Sequence, residues 1–166
     1  RDNLSRVIYG SRISLAVGLL SVLLGIGIGA LWGLASGYVG GTFDLVSQRF
    51  LEVLMAMPGL ILALALALVL GAGFWTIIIA IAVTRVPVAA RVIRATAMSV
   101  KYMLYAEAAR SIGASQMRVM LLHVAPQCFA PFIVLVTVNL GVAIITEASL
   151  SFIGLGVAPP TPTWGG

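Results

Sequence analysis

Glu107 and Arg110 stand three residues apart, just ahead of Gly113, in a stretch (99–126) far more polar than its flanks. A carboxylate and a guanidinium on one helical turn, followed by a residue free to reverse the chain, suit charged contact with a partner better than they suit a reaction. Other residues with chemistry in them are few. The protein has one histidine (His123), one cysteine (Cys128) and one lysine (Lys101). A zinc site needs several His, Cys or carboxylate ligands, and one His five residues from one Cys falls short. A P-loop needs a glycine-rich turn closing on lysine; Lys101 follows Ser99 and Val100, so this chain has no such route to ATP. A Ser–His–Asp arrangement would have to use His123, which lies at the foot of an apolar run, far from the serines within the other runs. Cys128 begins that run and reads as a small packing residue. We expect no catalytic residue, no metal and no cofactor on this chain.

Four polar residues sit where polarity is costly. Arg85 lies midway along one apolar stretch, beside Pro87, and Glu147 ends another that also holds Asn139 and Thr146. In hydrocarbon, such residues line a water-filled path or find partners within the bundle. For Glu147 an interfacial position at the outer mouth fits equally well. For Asn139 and Thr146, hydrogen bonds between helices are the equal alternative. Arg85 has fewer escapes, because snorkelling reaches only a few residues, so a polar cavity or a buried carboxylate partner is favoured.

The elements that must position these residues are apolar helices. Of 166 residues, 61% are hydrophobic and 9% charged, too little polar surface to cover a soluble globule. The net charge of +5 does not signal nucleic acid against that apolar excess; it is better read through the excess of Lys and Arg in cytoplasmic loops. Stretches 13–43 and 53–84 have no charged side chain, and 119–146 has only His123. About 20 residues of helix cross the hydrocarbon, and no strand-like alternation is visible. Divided at Gly71–Gly73, the stretches predict four spans near 13–36, 53–70, 74–97 and 127–149. The fold class is an all-α integral membrane protein, a polytopic helical bundle. Pro58 is expected to kink the start of the second span without breaking it.

Gly25, Gly29, Gly33, Gly37 and Gly41 recur at every fourth position. The first three predict a flat stripe for close helix packing, and Gly37 and Gly41 are assigned to the exit turn around 38–41. Residues 1–12, with Leu4, Val7 and Ile8 opposed to Arg1, Arg6 and Arg12, predict an extracytoplasmic segment lying at the interface. Arg49, Arg91, Arg94, Lys101, Arg110 and Arg118 put 38–52 and 98–126 on the cytoplasmic side. The domain reading is thus 1–12 interfacial, 13–150 membrane core with a cytoplasmic loop over 98–126, and 151–166 an extracytoplasmic loop. Both ends read as cut from a longer protein.

Within 99–126, Tyr102 to Ile112 is rich in helix formers, with Ala106, Ala108 and Ala109 as a smooth face. Gly113 is expected to end that helix at positive φ, and Ser115 to cap a second one. Pro126 marks the start of the next span. From composition, docking to a partner and an amphipathic hairpin on lipid headgroups are evenly matched.

The motifs in and around this loop resemble a known family. Glu107-Ala108-Ala109, three residues, Gly113, nine residues, then His123-Val124-Ala125-Pro126 is similar to the EAA loop of binding-protein-dependent ABC importer permeases. His123 and Ala125 replace that pattern's Ile and Leu, and the His-x-x-Pro ending is similar to the dipeptide, oligopeptide and nickel branch. Residues 1–6 (Arg1-Asp2-Asn3-Leu4-Ser5-Arg6) with 9–15 resemble the entry to that branch's second helix. Residues 147–156, Pro159-Pro160-Thr161-Pro162 and Trp164-Gly165 resemble its external loop before the last helix. The resemblance covers nearly the whole chain and implies a C-type permease subunit lacking its first and last helices.

That resemblance implies contact with the ATPase through Tyr105, Glu107, Ala108, Ala109, Arg110, Gly113, Ala114 and Pro126. It implies a second permease subunit, two ATP-binding-cassette subunits that hold ATP and Mg, an extracytoplasmic solute-binding protein, membrane lipid, and a prokaryotic inner membrane. Short peptides lead the expected solutes, with nickel, opines and glutathione-like molecules behind. Two other readings stay open. An ion-coupled secondary transporter would need inward acids near the midplane, for which Glu147 is the nearest candidate. A structural membrane subunit would use the hairpin only to bind lipid.

Overall fold

The computed structural model describes residues 3–157 and 161–165, and every regular element among them is helical. Helix α1 runs over Asn3–Val39, without a charged side chain beyond Arg12, and stops where Gly40 takes a φ of 67°. Helix α2 follows over Gly41–Met55, and α3 over Gly59–Leu70. The chain turns at Gly71, φ 85°, into α4 over Phe74–Lys101. A short α5 (Leu104–Ser111) and a single turn α6 (Gln116–Val119) come next. A π-turn over Met120–Val124 and a 3-10 turn over Ala125–Cys128 then lead into α7 (Phe129–Phe152). The irregular stretch answers a local problem: Pro126 has no N–H to offer the preceding turn, and π and 3-10 turns absorb such a defect without ending the helix.

Three helical runs are long and apolar enough to cross a bilayer: Asn3–Val39, Phe74–Lys101 and Gln116–Phe152. The pair α2–α3 is a fourth apolar unit, a broken span or a re-entrant loop, whose axes differ by 86°. The expectation of a kinked but continuous second span is therefore corrected. Pro58 pushes Met57 away from helical geometry, so α2 ends at Met55 and α3 starts afresh behind Pro58. At 12 residues, α3 is only about 18 Å long, short of the roughly 30 Å hydrocarbon core.

Glycine spacing sets the packing. A Cβ at Gly25, Gly29, Gly33 or Gly37 would overlap the backbone carbonyl of Ala82, Val86, Ala90 or Arg94 respectively. Both series advance by four, so α1 and α4 run parallel with their backbones in contact, close enough for Cα–H···O contacts. Gly18 faces Leu140 and Ile144, while Gly27, Leu31 and Leu34 flank Ala125, Cys128 and Phe132, so α7 runs antiparallel to α1. Gly59 lies against Thr84 and Arg85, so α3 returns antiparallel along the first half of α4. Val17, Val22, Ile26, Ile77, Ile78 and Ile81 fill the centre of this bundle, fully buried.

Other expectations also shift. Residues 3–12 are helical and continue without a break into the first span. Gly37 belongs to α1 and to the close-packed stripe, not to the exit turn, which Gly40 and Gly41 make. Arg91 and Arg94 lie in α4, which continues to Lys101. Arg1, Asp2, Pro159, Pro160 and Gly166 lie outside the described residues.

Candidate functional site

One end of the bundle carries the α5–α6 unit. Gly113 has a φ of 86° and reverses the chain, and Ser115 accepts a hydrogen bond from the Arg118 amide at 3.4 Å to start α6. The unit is tied to the spans at several points. Tyr38, at the foot of α1, donates its hydroxyl to Gln116 Oε1 at 2.6 Å. Arg110 donates to the Lys101 carbonyl at 2.6 Å, satisfying an orphan acceptor at the end of α4. Lys101 Nζ lies 5.5 Å from the Tyr38 ring centre and 5.6 Å from that of Tyr102. Ala106 and Ala109 are buried in a cluster with Leu34, Tyr38, Ala97 and Val119.

This splits the alanine face that the sequence offers to a partner. Ala109 is turned inward against its own chain, and Ala108 is exposed beside Glu107. The outward surface is more apolar than expected: Leu104 is 84% exposed and Ile112 87%, with Tyr105 and Met117 also exposed. Ala114 is half-buried, and Pro126 is exposed near the head of α7. Periodicity alone did not separate Ala108 from Ala109, because both are small and equally good helix formers.

A second cluster was missed in the sequence. Asp44 of α2 receives Arg94 Nε at 2.6 Å and Arg94 NH2 at 2.5 Å, and Ser36 of α1 donates to the same carboxylate. Three elements, α1, α2 and α4, are held by one buried acid. The available signal was Asp44 itself, the first charge after a long charge-free run, but its partner lies 50 positions away.

The third cluster lies at mid-depth. Arg85 NH1 donates to Asn139 Oδ1 at 3.3 Å, and Asn139 donates in turn to the Leu135 carbonyl at 2.8 Å. Arg85 Nε is buried and has no partner. Thr146 and Glu147 do not join them. Thr146 bonds the Val142 carbonyl within α7. Glu147 is fully buried, accepts from Ser151 at 2.8 Å, and leaves Oε2 unpaired. Seven to eight residues separate these two from Asn139, about 10–12 Å along the helix. The structure thus pairs Arg85 with Asn139 and keeps Glu147 apart.

At the opposite end from α5–α6, Trp164 closes over α1: its amide donates to Ser14 Oγ at 3.2 Å and its indole to the Val7 carbonyl at 3.1 Å. No group of three or more potential metal ligands occurs among the described residues.

Comparison with known proteins adds to this geometry. Residues 14–166 match the family described as binding-protein-dependent transport system inner membrane component. The chain is 46% identical over 165 residues to the glutathione transport system permease protein GsiD of Escherichia coli O1:K1, covering 99% of this chain and 54% of that protein. It is 41% identical over 165 residues to the protein of the same name from Pectobacterium atrosepticum, covering 99% and 55%. The chain spans about half the length of the curated relatives it matches.

Proposed function

The chain belongs to the family of binding-protein-dependent transport system inner membrane components, multi-pass permeases of ABC importers and not enzymes, and we propose that its α5–α6 unit couples the solute pathway to a separate ATPase. In this reading 38–52 and 98–126 face the cytoplasm, 3–12 and 151–166 face outward, and a solute-binding protein delivers cargo from that outer side. A second permease subunit completes the path, and two ATP-binding-cassette subunits carry ATP and Mg beneath it. The solute is a short peptide or a peptide-like molecule, in keeping with relatives named for glutathione transport.

The observation that carries the proposal is the two-sidedness of α5–α6. Its inner face is fastened to α1 and α4 through Tyr38, Gln116, Arg110, Ala106 and Ala109. Its outer face presents Leu104, Tyr105, Glu107, Ala108 and Ile112, with Gly113 at the bend. An apolar helix face with one central carboxylate fits a groove on a protein partner. A rigid unit anchored to two spans transmits a push on that face to both of them.

The experiment uses the full-length protein assembled with its partners. Glu107→Arg and Gly113→Pro should leave membrane insertion intact while cutting ATP-driven uptake at least tenfold and loosening co-purification with the ATPase. Wild-type uptake by both variants, or labelling of a cysteine at Ile112 from the outside of intact cells, would overturn the proposal.

A further inference from the structure

Arg85 is a cation in the middle of the bundle that faces no anion among the described residues. Of the acids in the sequence, Asp44 is taken by Arg94 and Glu52 by Arg49. Glu107 is exposed on α5, and Glu147 lies about 12 Å along α7 from Asn139 and bonds Ser151. Asp2 is outside the described residues. The guanidinium is left with one neutral acceptor, Asn139 Oδ1 at 3.3 Å, and a buried Nε without a partner. An uncompensated charge at this depth is expensive and marks a functional position.

Its surroundings add donors. Arg85 Cβ lies beside Gly25, the middle of the first span, so the residue is near the mid-depth of the bundle. There α3 starts: a Cβ placed on Gly59, its first residue, would stand 3.8 Å from Thr84 Cβ and 3.9 Å from Arg85 NH2, and Pro58 ahead of it offers no side-chain cap. The first amides of α3 are therefore uncapped next to the guanidinium, and a helix start carries partial positive charge. Broken membrane helices in other transporters use such half-helix starts to hold anionic groups of their cargo.

We infer that Arg85, oriented by Asn139, is a carboxylate-recognising site at mid-depth of the solute path. The inference rests on the permease reading above and names the chemical class that this site takes: a solute bearing a free carboxylate. Contrast with the other arginine pair supports a passing ligand over a fixed counter-ion. Arg94 is held by both oxygens of Asp44, with Ser36 completing the carboxylate's shell. Arg85 has one long bond to an amide and a buried Nε without a partner. A transported group needs such a site, favourable enough to enter and weak enough to leave.

The test uses the full-length protein, assembled in proteoliposomes with its second permease subunit, ATPases and binding protein. Radiolabelled trialanine and glutathione serve as probes at saturating binding protein. Arg85→Gln should lower uptake at least tenfold without changing co-purification of the second permease subunit, and Arg85→Lys should stay within about threefold of wild type. Asn139→Asp is the discriminating variant: it places a carboxylate beside the guanidinium. A solute site predicts a stable, assembled and inactive Asn139→Asp importer. An active Asn139→Asp importer, uptake by Arg85→Gln within twofold of wild type, or loss of the second subunit in Arg85→Gln would each overturn the site. Wild-type uptake of neither peptide would overturn the peptide-solute reading as well, a result distinct from any seen only in the variants.

Discussion

Asp44 and Arg94, 50 positions apart, meet in a two-point ion pair in which Nε donates to Oδ1 and NH2 to Oδ2 at 2.6 and 2.5 Å. The pair pins α2 to α4 at the end of the bundle where α1 hands the chain over, and Ser36 adds the α1 contact. Since α2 and α3 are bent by 86° about Met57–Pro58, the pin holds the first arm of that bent pair against α4. Removing either partner leaves a charge without its mate. Asp44→Ala or Arg94→Ala should cost about 2–4 kcal/mol, below the roughly 3–5 kcal/mol of a fully buried pair, because the Arg94 side chain keeps 27% exposure. Thermal unfolding of the full-length protein in detergent measures this. The charge swap Asp44→Arg with Arg94→Asp should recover part of the loss, and a swap no better than the single variants would remove the pairing from the account.

The glycine stripe allows a control within one helix. A methyl group at Gly29 would overlap the Val86 carbonyl and stand 2.7 Å from Ala89 Cβ, whereas at Gly27 it meets nothing within 4 Å. Gly29→Ala and Gly33→Ala should each destabilise by about 1–3 kcal/mol through overpacking. Gly27→Ala should stay within about 0.5 kcal/mol of wild type. Equal effects at positions 27 and 29 would contradict the α1–α4 contact.

Gly113 is open on all sides, with nothing within 4 Å of a Cβ placed there, yet holds a φ of 86°. The cost of Gly113→Ala is therefore conformational, about 1–2 kcal/mol. Gly113→Asn should cost less, since Asn tolerates this region of backbone space. Uptake and hydrogen exchange across 104–119, measured on both variants, should rank glycine above asparagine above alanine. An alanine variant indistinguishable from wild type would show that the bend does not need this conformation.

Tyr38→Phe removes one hydroxyl, the one that reaches Gln116 at 2.6 Å. The loss should be about 0.5–1.5 kcal/mol and local. Faster hydrogen exchange in α6 with little change in the middle of α1 and α4 is the expected pattern. Uniform loosening of the whole bundle, or none, would mean that this bond does not anchor the unit.

The sequence alone settles what depends on composition and near neighbours. Uncharged stretches long enough to cross hydrocarbon make a membrane helix bundle unavoidable. The four-residue recurrence of Gly25, Gly29 and Gly33 calls for a backbone neighbour, and Gly113 followed by Ser115 spells a helix end and a helix start. The poverty of His, Cys and Lys already disposes of a metal cluster or a P-loop. Tertiary structure decides partners, because a small or charged residue states what it needs and not which distant segment supplies it. Hence the carbonyls of residues 82, 86, 90 and 94 as the surface under the stripe, Arg94 as the mate of Asp44, and Asn139 as the acceptor for Arg85 were invisible in the sequence. Pro58 forbids helical geometry at Met57 by itself, but the 86° between α2 and α3 is set by packing. Ala109 turns inward and Ala108 outward because the docked α5 gives adjacent residues opposite neighbours, a choice made by packing alone.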